Sequence, residues 1–196
     1  MTGTRTGAYP VQLDPERAAD ILISDHAGKR NLVPFARALG ATDLAGAYAI
    51  QDAFVARLQT VQGRRVGYKI GLTSKRMQQM CSIDHPIAGV VFERRLLRSG
   101  ARLRRSDLVR LGLEFEICVR LGSALPARAQ PYTLDEVAVA VQAVAPAFEV
   151  IDDRNSPYPL DMLSLVADNA WNEGIVLGEW RTSWPDLAAE IGRAHV

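Results

Sequence analysis

The most regular hydrophobic pattern in the chain lies between residues 112 and 121, where apolar and polar residues alternate. One side of this stretch carries Leu113, Phe115, Ile117, Val119 and Leu121, and the other carries Gly112, Glu114, Glu116, Cys118 and Arg120. A period of two is typical of a β-strand with one buried face. The pattern therefore predicts a half-buried strand that presents two carboxylates side by side on its polar face.

Two amphipathic helices are predicted before this strand. The first spans about 14–27, because Asp14 is a suitable N-cap and Pro15 suits the first helical position. The second spans about 43–59 and has apolar residues at helical spacing. We expect an N-terminal arm and these helices to form one unit, residues 1–62, and the remaining residues to form a second.

The second unit, residues 63–196, mixes strands and helices. A capping box opens one of its helices, and Pro146 is expected to end that helix. The predicted elements are a strand at 66–71, a helix at 75–80, a strand at 90–92, a solvated hairpin at 96–103, the strand at 112–121, a helix at 133–145, a strand at 147–151, a helix at 161–166 and a strand at 174–178. This order predicts an α+β fold.

Composition excludes several classes of function. The 196 residues include 48% apolar and 23% charged residues and carry a net charge of +1, so neither nucleic acid nor an anionic membrane is indicated as a partner. We find no signal peptide and no segment long enough to span a bilayer. Cys81 and Cys118 lack metal-ligand spacing, which fits a reducing compartment. We therefore expect a cytoplasmic protein.

Acidic residues at strand positions are the strongest indication of chemistry. Glu114 and Glu116 on one strand face would repel each other unless a cation lies between them, although a solvated face is the simpler interpretation. Glu149 lies in a mostly apolar strand, where a buried carboxylate needs a cation. Arg154 is one candidate, and Mg²⁺ or Mn²⁺ shared by the three glutamates is the other.

Four other polar residues each allow two interpretations. Lys69 is either an edge residue whose amine reaches solvent or a cation that faces a pocket. His85 is either a loop residue or part of a site, and His26 is expected at a helix end without a ligand role. Asp168 and Asn169 are either pocket groups or residues that bond the local backbone.

Five segments of the chain together resemble a known enzyme family. In chain order they are Ala47–Gln51, Gly67–Ser74, Leu113–Glu116, Ala147–Asp152 and Ala167–Asn169. They resemble the 2-keto-4-pentenoate hydratase family of the fumarylacetoacetate hydrolase superfamily, and the likeness runs over about residues 18–178. Each segment is weakly specific, whereas the five in this order are specific.

The resemblance implies a fold and a metal site. It implies a mixed β-roll of the fumarylacetoacetate hydrolase type after an N-terminal helical part, and assembly into homo-oligomers. Glu114, Glu116 and Glu149 match the family's ligands for Mg²⁺ or Mn²⁺, and Lys69 matches its lysine.

The implied activity is a metal-dependent hydro-lyase reaction on a small molecule. Water would be added to a 2-hydroxy-2,4-dienoate to give a 4-hydroxy-2-oxo acid in the catabolism of aromatic compounds. Decarboxylation of 2-oxo-3-hexenedioate (4-oxalocrotonate) and acylpyruvate hydrolysis are the alternatives, because enzymes with those activities use similar metal sites. The family often has an acid where this chain has Ile87, so Asp84 or His85 would have to transfer the proton instead.

The C-terminal end departs from the family. The family continues beyond Gly178 with strands that complete the roll, so we expect an incomplete roll with exposed apolar faces. The segment Glu190–Val196, which includes His195, reads like a translated sequencing adapter, GAG ATC GGA AGA GCA CAC GTC. We hypothesise that these residues are an artefact, and that the chain is either an enzyme or an inactive fragment of one.

Overall fold

A computed structural model describes residues 12–183, so the adapter-like segment and His195 lie outside the described residues. The helices are α1 (Pro15–Ala27), α2 (Leu44–Gln62), α3 (Lys75–Met80), α4 (Leu134–Ala140) and α5 (Met162–Ala167). The strands are β1 (Arg65–Gly71), β2 (Ile87–Phe92), β3 (Leu96–Arg98), β4 (Leu111–Leu121), β5 (Val141–Asp152) and β6 (Asn172–Leu177). This mixture of helices and sheets confirms the α+β class.

The predicted capping residues open their helices. The Asp14 carboxylate accepts a hydrogen bond from the backbone N–H of Arg17 at 3.0 Å, and Pro15 is the first residue of α1. The capping box at α4 is also formed, because Thr133 and Glu136 each bond the other's backbone N–H. Side chains that satisfy the first N–H groups of a helix fix where it begins, which is why these boundaries could be read from the sequence.

Two sheets hold the strands. β1 and β2 form an antiparallel pair, and the four-stranded sheet has the order β3-β6-β5-β4. In the larger sheet β3 is parallel to β6, whereas β5 is antiparallel to both of its neighbours, β6 and β4. β4 is therefore an edge strand, and β5 lies between the two longest pairings of the sheet.

The prediction of a helix over 133–145 was wrong in its second half. The helix ends at Ala140, and Val141 begins β5, whose first residues pair with β4. Pairing along β4 outweighs the helical spacing of the valines, which are themselves good strand residues. Pro146 does not end a helix but lies within β5, next to Ala147, where pairing with β6 begins.

The predicted hairpin at 96–103 was also wrong. β3 ends at Arg98, and a turn with Gly100 at φ 87° follows, but the returning residues form no strand. β3 pairs instead with Leu177 and its neighbours on β6, nearly eighty residues away. Such a distant parallel pairing leaves no local signal in the sequence.

The main hydrophobic core joins the N-terminal helices to the rest of the chain. Its buried members from α1 and α2 include Leu22, Ile50 and Phe54, and they share the core with Ile87 of β2 and Val166 of α5. Small alanines on α1 and α2 allow the two helices to pack closely. The division into units 1–62 and 63–196 stays a prediction.

The apolar side of β4 lies on the surface. The strand and its alternation are as predicted, but the prediction that this side is buried was wrong for the described residues. Its exposed members are Leu113, Phe115, Ile117, Val119 and Leu121, and Phe115, which is 84% exposed, contacts Phe148 of β5. In the described part of the chain, no helix has the length and apolar character needed to cross a membrane.

Candidate metal centre

The three predicted glutamate ligands meet where β4 pairs with β5. Glu114 lies directly opposite Glu149 in the antiparallel register, and Glu116 lies opposite Ala147. Directly opposite residues project from the same face of a sheet, and Glu116 shares that face because it is two residues from Glu114. One carboxylate oxygen of each glutamate lies within 4.8 Å of the other two. The structure thus brings together three acids that are far apart in sequence.

The three carboxylates differ in exposure and in their protonation equilibria. Glu149 is only 2% exposed, whereas Glu114 and Glu116 lie at the surface. Burial raises the pKa of Glu149, against the opposing effects of Lys69 and of a hydrogen bond from Asn172. Burial also raises the pKa of Glu116, and the negative charge of Glu114 raises it further. A cation between the three would offset both effects.

Lys69 projects inward from β1 toward the glutamates. Its Nζ lies 3.4 Å from Oε2 of Glu149 and donates a hydrogen bond to the Ala170 carbonyl oxygen at 3.3 Å. Its side chain is 8% exposed, so the prediction that its amine reaches solvent at an edge was wrong. Lys69, and not Arg154, is therefore the cation that Glu149 contacts.

A glycine makes room for this lysine. Gly89 lies directly opposite Lys69 in the β1–β2 pair. A Cβ at position 89 would lie 2.5 Å from the Asn169 carbonyl oxygen and 3.2 Å from Cγ of Lys69. The distance to the Asn169 backbone is too short for normal packing, and the distance to the lysine would force its side chain to shift, so the 169–171 segment can approach β2 this closely because residue 89 has no side chain.

Three further residues that support the site were missed by sequence reasoning. Asn172 donates from Nδ2 to Oε1 of Glu149 at 2.8 Å. Tyr48 accepts a hydrogen bond from the Ala88 N–H at 3.0 Å, and Gln51 donates to the Ala88 carbonyl oxygen at 3.0 Å. Tyr48 and Gln51 belong to the segment Ala47–Gln51 of the family resemblance, and this membership could have indicated them. No sequence signal pointed to Asn172.

The side chains of Asp168 and Asn169 contact residues that are distant in the sequence. Asn169 accepts a hydrogen bond from the Val90 N–H at 2.7 Å and donates to the Val90 carbonyl oxygen at 2.9 Å. Arg154, the alternative partner for Glu149, instead donates to Asp168 at 2.7 Å. His26 completes the group, with Nε2 2.6 Å from Asp168. The prediction that Asp168 and Asn169 bond the nearby backbone was wrong.

Asp84 and His85 lie on an exposed loop just before β2. The nearest recorded partner of the His85 ring is the Pro86 carbonyl oxygen, 2.8 Å from Nδ1. Among the described residues, neither side chain forms a hydrogen bond or ion pair with Lys69 or the glutamates. Their role in proton transfer stays a prediction.

The donor set suits a hard divalent cation. Carboxylate oxygens are the ligands that Mg²⁺ and Mn²⁺ prefer, and octahedral coordination would leave positions for water or substrate beside three carboxylates. The group contains neither sulfur nor imidazole nitrogen, so zinc and copper, which favour those ligands, are a poorer match. The residues present therefore fit the metal that the resemblance implies.

The sequence of this chain is similar to those of known hydratases. No family model matches the chain. The TodF product hydratase of Pseudomonas putida strain F1 is 30% identical over 174 residues, which are 89% of this chain and 62% of that protein. The 2-keto-4-pentenoate hydratase 2 of Dechloromonas aromatica strain RCB is 32% identical over 165 residues, which are 84% of this chain and 62% of that protein.

A solved structure shares the fold. The 4-oxalocrotonate decarboxylase from Pseudomonas putida G7, complexed with magnesium and adipate, matches with a TM-score of 0.75 at 26% identity. The match covers 84% of this chain and 62% of that one. The chain thus spans about three fifths of the length of the proteins that it matches.

Proposed function

We propose that this chain, which is similar to 2-keto-4-pentenoate hydratases, carries a Mg²⁺ or Mn²⁺ centre on Glu114, Glu116 and Glu149. We further propose that the centre serves a hydratase, which adds water to a 2-hydroxy-2,4-dienoate and gives a 4-hydroxy-2-oxo acid. Such a reaction belongs to the catabolism of aromatic compounds. The observation that carries the proposal is the convergence of the three carboxylates within 4.8 Å.

When bound, the divalent ion supplies a Lewis acid for the adjacent carboxylate and 2-oxygen of the substrate. Glu149 would bind the ion from a buried position, where electrostatic interactions are stronger than in water. Lys69 keeps a positive charge beside Glu149 and so favours the ionised carboxylate that metal binding needs. The same amine is the cation best placed in this site to attract an anionic substrate.

Proton transfer is assigned to the loop before β2. Asp84 and His85 are the acid and the imidazole of this loop, and both side chains are exposed. Ile87, which follows Pro86, cannot exchange a proton, and we assign that role in the proposed reaction to Asp84 or His85.

Decarboxylation of 4-oxalocrotonate is the second candidate. It is favoured by the structural match to a decarboxylase of that substrate with magnesium. The two candidates share the metal site and differ in the bond that changes, since one reaction adds water and the other releases carbon dioxide. Product analysis therefore separates them.

The remaining proposals concern the whole protein. We propose that the four-stranded sheet is part of a mixed β-roll, and that the protein works in the cytoplasm, where its free cysteines would stay reduced. We also propose that it forms homo-oligomers. The exposed apolar side of β4 supports assembly, because monomeric soluble proteins rarely expose contiguous apolar surface of this kind.

The test is an absorbance assay across a panel of 2-hydroxydienoates, with and without added Mg²⁺. Turnover that requires the metal and is lost in Glu116→Gln is expected. Products identified by mass spectrometry distinguish a hydrated from a decarboxylated compound. Mn²⁺ binding without turnover of any member of the panel would reject the enzymatic proposal and keep the metal centre.

A further inference from the structure

We infer that Asn172 is a positioning residue of the metal centre, whose carboxamide fixes the orientation of Glu149. The inference rests on the proposed metal function and extends it to a residue outside the ligand set. Asn172 is the first residue of β6, the strand next to β5, and its side chain reaches Glu149 from the side away from β4.

The two oxygens of the Glu149 carboxylate have different partners. Oε1 accepts a hydrogen bond from Nδ2 of Asn172 at 2.8 Å, whereas Oε2 faces Nζ of Lys69 at 3.4 Å. Each carboxylate oxygen has two lone pairs, so each retains one for a metal ion after these contacts. The two partners together fix the rotation of the carboxylate about its last bond.

The amide and the amine compete for this carboxylate. Without a donor at position 172, the carboxylate is free to turn so that both oxygens approach Lys69, since a charged donor attracts it more strongly than a neutral one. That rotation would change how the Glu149 carboxylate faces Glu114 and Glu116. Asn172 thus holds one oxygen of Glu149 away from the lysine.

The backbone before Asn172 is held firmly in place. Asn169, Ala170 and Trp171 have φ values of 50°, 49° and 61°, a left-handed conformation that non-glycine residues seldom adopt. Two hydrogen bonds between Asn169 and the Val90 backbone, and one from Lys69 to the Ala170 carbonyl oxygen, stabilise this segment. The same segment therefore fixes both the lysine and the start of β6.

The experiment measures Mn²⁺ affinity of the full chain by electron paramagnetic resonance. Asn172→Leu keeps the side-chain size and removes the donor, and we expect its Kd to rise about 10- to 100-fold, as for other groups that orient metal ligands. Asn172→Gln keeps the carboxamide and should stay closer to the natural protein. Asn31→Leu is the matched control, because the exposed Asn31 side chain accepts a hydrogen bond from Asn155 at 2.9 Å and has no contact with the glutamates among the described residues, so its Kd should not change.

The outcomes separate this inference from the proposed function. An unchanged Kd in Asn172→Leu would overturn the positioning role alone, and so would an equal loss in Asn172→Gln. If the natural chain binds no Mn²⁺, the metal centre itself is rejected and the inference with it. Where circular dichroism shows that Asn172→Leu does not fold, Asn172→Ala, which also lacks the donor, is measured against the same expectation.

Discussion

Lys69 reaches from β1 to Glu149 on β5, with Nζ 3.4 Å from Oε2, although the two strands belong to different sheets. Both side chains are nearly excluded from solvent, at 8% and 2% exposed. The contact therefore ties the small sheet to the large one at the proposed metal centre. Each charge depends on the other, because a buried charge without a partner is strongly unfavourable.

Replacing Lys69 by Met should destabilise the protein and impair metal binding. Removal of one partner of a buried ion pair costs about 3–5 kcal/mol of unfolding free energy. The pKa of Glu149, already raised by burial, should rise further, so that Mn²⁺ binding needs a higher pH. Urea unfolding and Mn²⁺ titrations between pH 5 and 9 would measure both effects.

The double variant Lys69→Met/Glu149→Gln is the control for that prediction. It removes both charges and should recover much of the lost unfolding free energy while still failing to bind the metal. If the double variant lost as much unfolding free energy as the two single variants together, the two residues would be independent and the coupling would be contradicted. Lys75→Met, which removes a lysine near the surface, should leave stability nearly unchanged.

Glu116→Gln should have opposite effects on metal binding and on metal-free stability. Burial and the charge of Glu114 raise the pKa of Glu116, so its ionised form is unfavourable in the folded protein without metal. The neutral variant should therefore be slightly more stable at pH 7, and this gain should vanish below the usual glutamate pKa of about 4.3, where both forms are neutral. Its Mn²⁺ affinity should fall at least about tenfold.

Calorimetric melting in EDTA and Mn²⁺ titration of the same preparation would test Glu116→Gln. Glu93→Gln is the matched control, since Glu93 is an exposed carboxylate paired with Arg64 at 3.1 Å. A variant that binds Mn²⁺ like the natural protein would remove Glu116 from the ligand set.

Gly89→Ala tests whether the space opposite Lys69 is required. The added Cβ would lie 2.5 Å from the Asn169 carbonyl oxygen, so the backbone around one of the two residues must move. Forcing extra atoms into a packed site costs about 1–3 kcal/mol, and we expect a loss of that size together with weaker Mn²⁺ binding. Chemical denaturation would measure the loss of stability.

Gly67→Ala is the control within the same strand pair. Gly67 lies on β1, and a Cβ there would meet no atom within 4 Å. Its stability should stay within about 0.5 kcal/mol of the natural protein, as for most surface substitutions. Equal losses in the two variants would mean that glycine is needed for strand conformation and not for the space beside Lys69.

The sequence predicted the parts of this protein that depend on local chemistry. The N-caps at Asp14 and Thr133 and the alternation along β4 are local patterns, and the structure has them where they were predicted. The three glutamates could be named because strand periodicity and the family resemblance both pointed to them. Long-range pairing carried no such signal, which is why the strand from Val141 was predicted as helix.

The exposure of β4 and the contact of Asn172 with Glu149 could not be predicted from local sequence. An alternating strand indicates that one side is apolar, but not what covers that side, and Phe115 lies exposed in the described structure. Asn172 acquires its contact from the pairing of β6 with β5 and from the left-handed segment before it. Neither feature can be read from the residues next to Asn172 alone.

His26 should make stability depend on pH above neutrality. Its imidazole lies 2.6 Å from Asp168 and 3.3 Å from Glu173. Burial alone would lower its pKa, but these two carboxylates outweigh burial and raise the pKa from 6.5 to about 9. A raised pKa in the folded state stabilises the protein fully below pH 6.5, and this contribution is lost as the pH rises through about 9.

His26→Gln should therefore be less stable than the natural protein by about 2–3 kcal/mol at pH 6, and the difference should shrink toward pH 9.5. Urea unfolding across this pH range would measure it. His85→Gln is the control, because His85 is exposed and its replacement should change the unfolding free energy little. A constant loss in His26→Gln at all pH values would show that packing, and not charge, accounts for its contribution.

Phe115→Lys should weaken self-association if the apolar side of β4 is an interface between copies of the chain. Phe115 is 84% exposed, so the substitution removes few contacts within the chain and should change its unfolding free energy little. A charge in the centre of an apolar interface would instead be buried without a partner on assembly. Sedimentation velocity at several concentrations should show a higher dissociation constant or a monomer.

Val139→Lys is the matched control for self-association, since Val139 is also apolar, is 87% exposed and lies on α4 and not on β4. Its self-association should equal that of the natural protein. If both lysine variants associate like the natural protein, the copies meet through another surface. If both dissociate, general charge repulsion and not the β4 surface controls assembly, because each variant raises the net charge by the same amount.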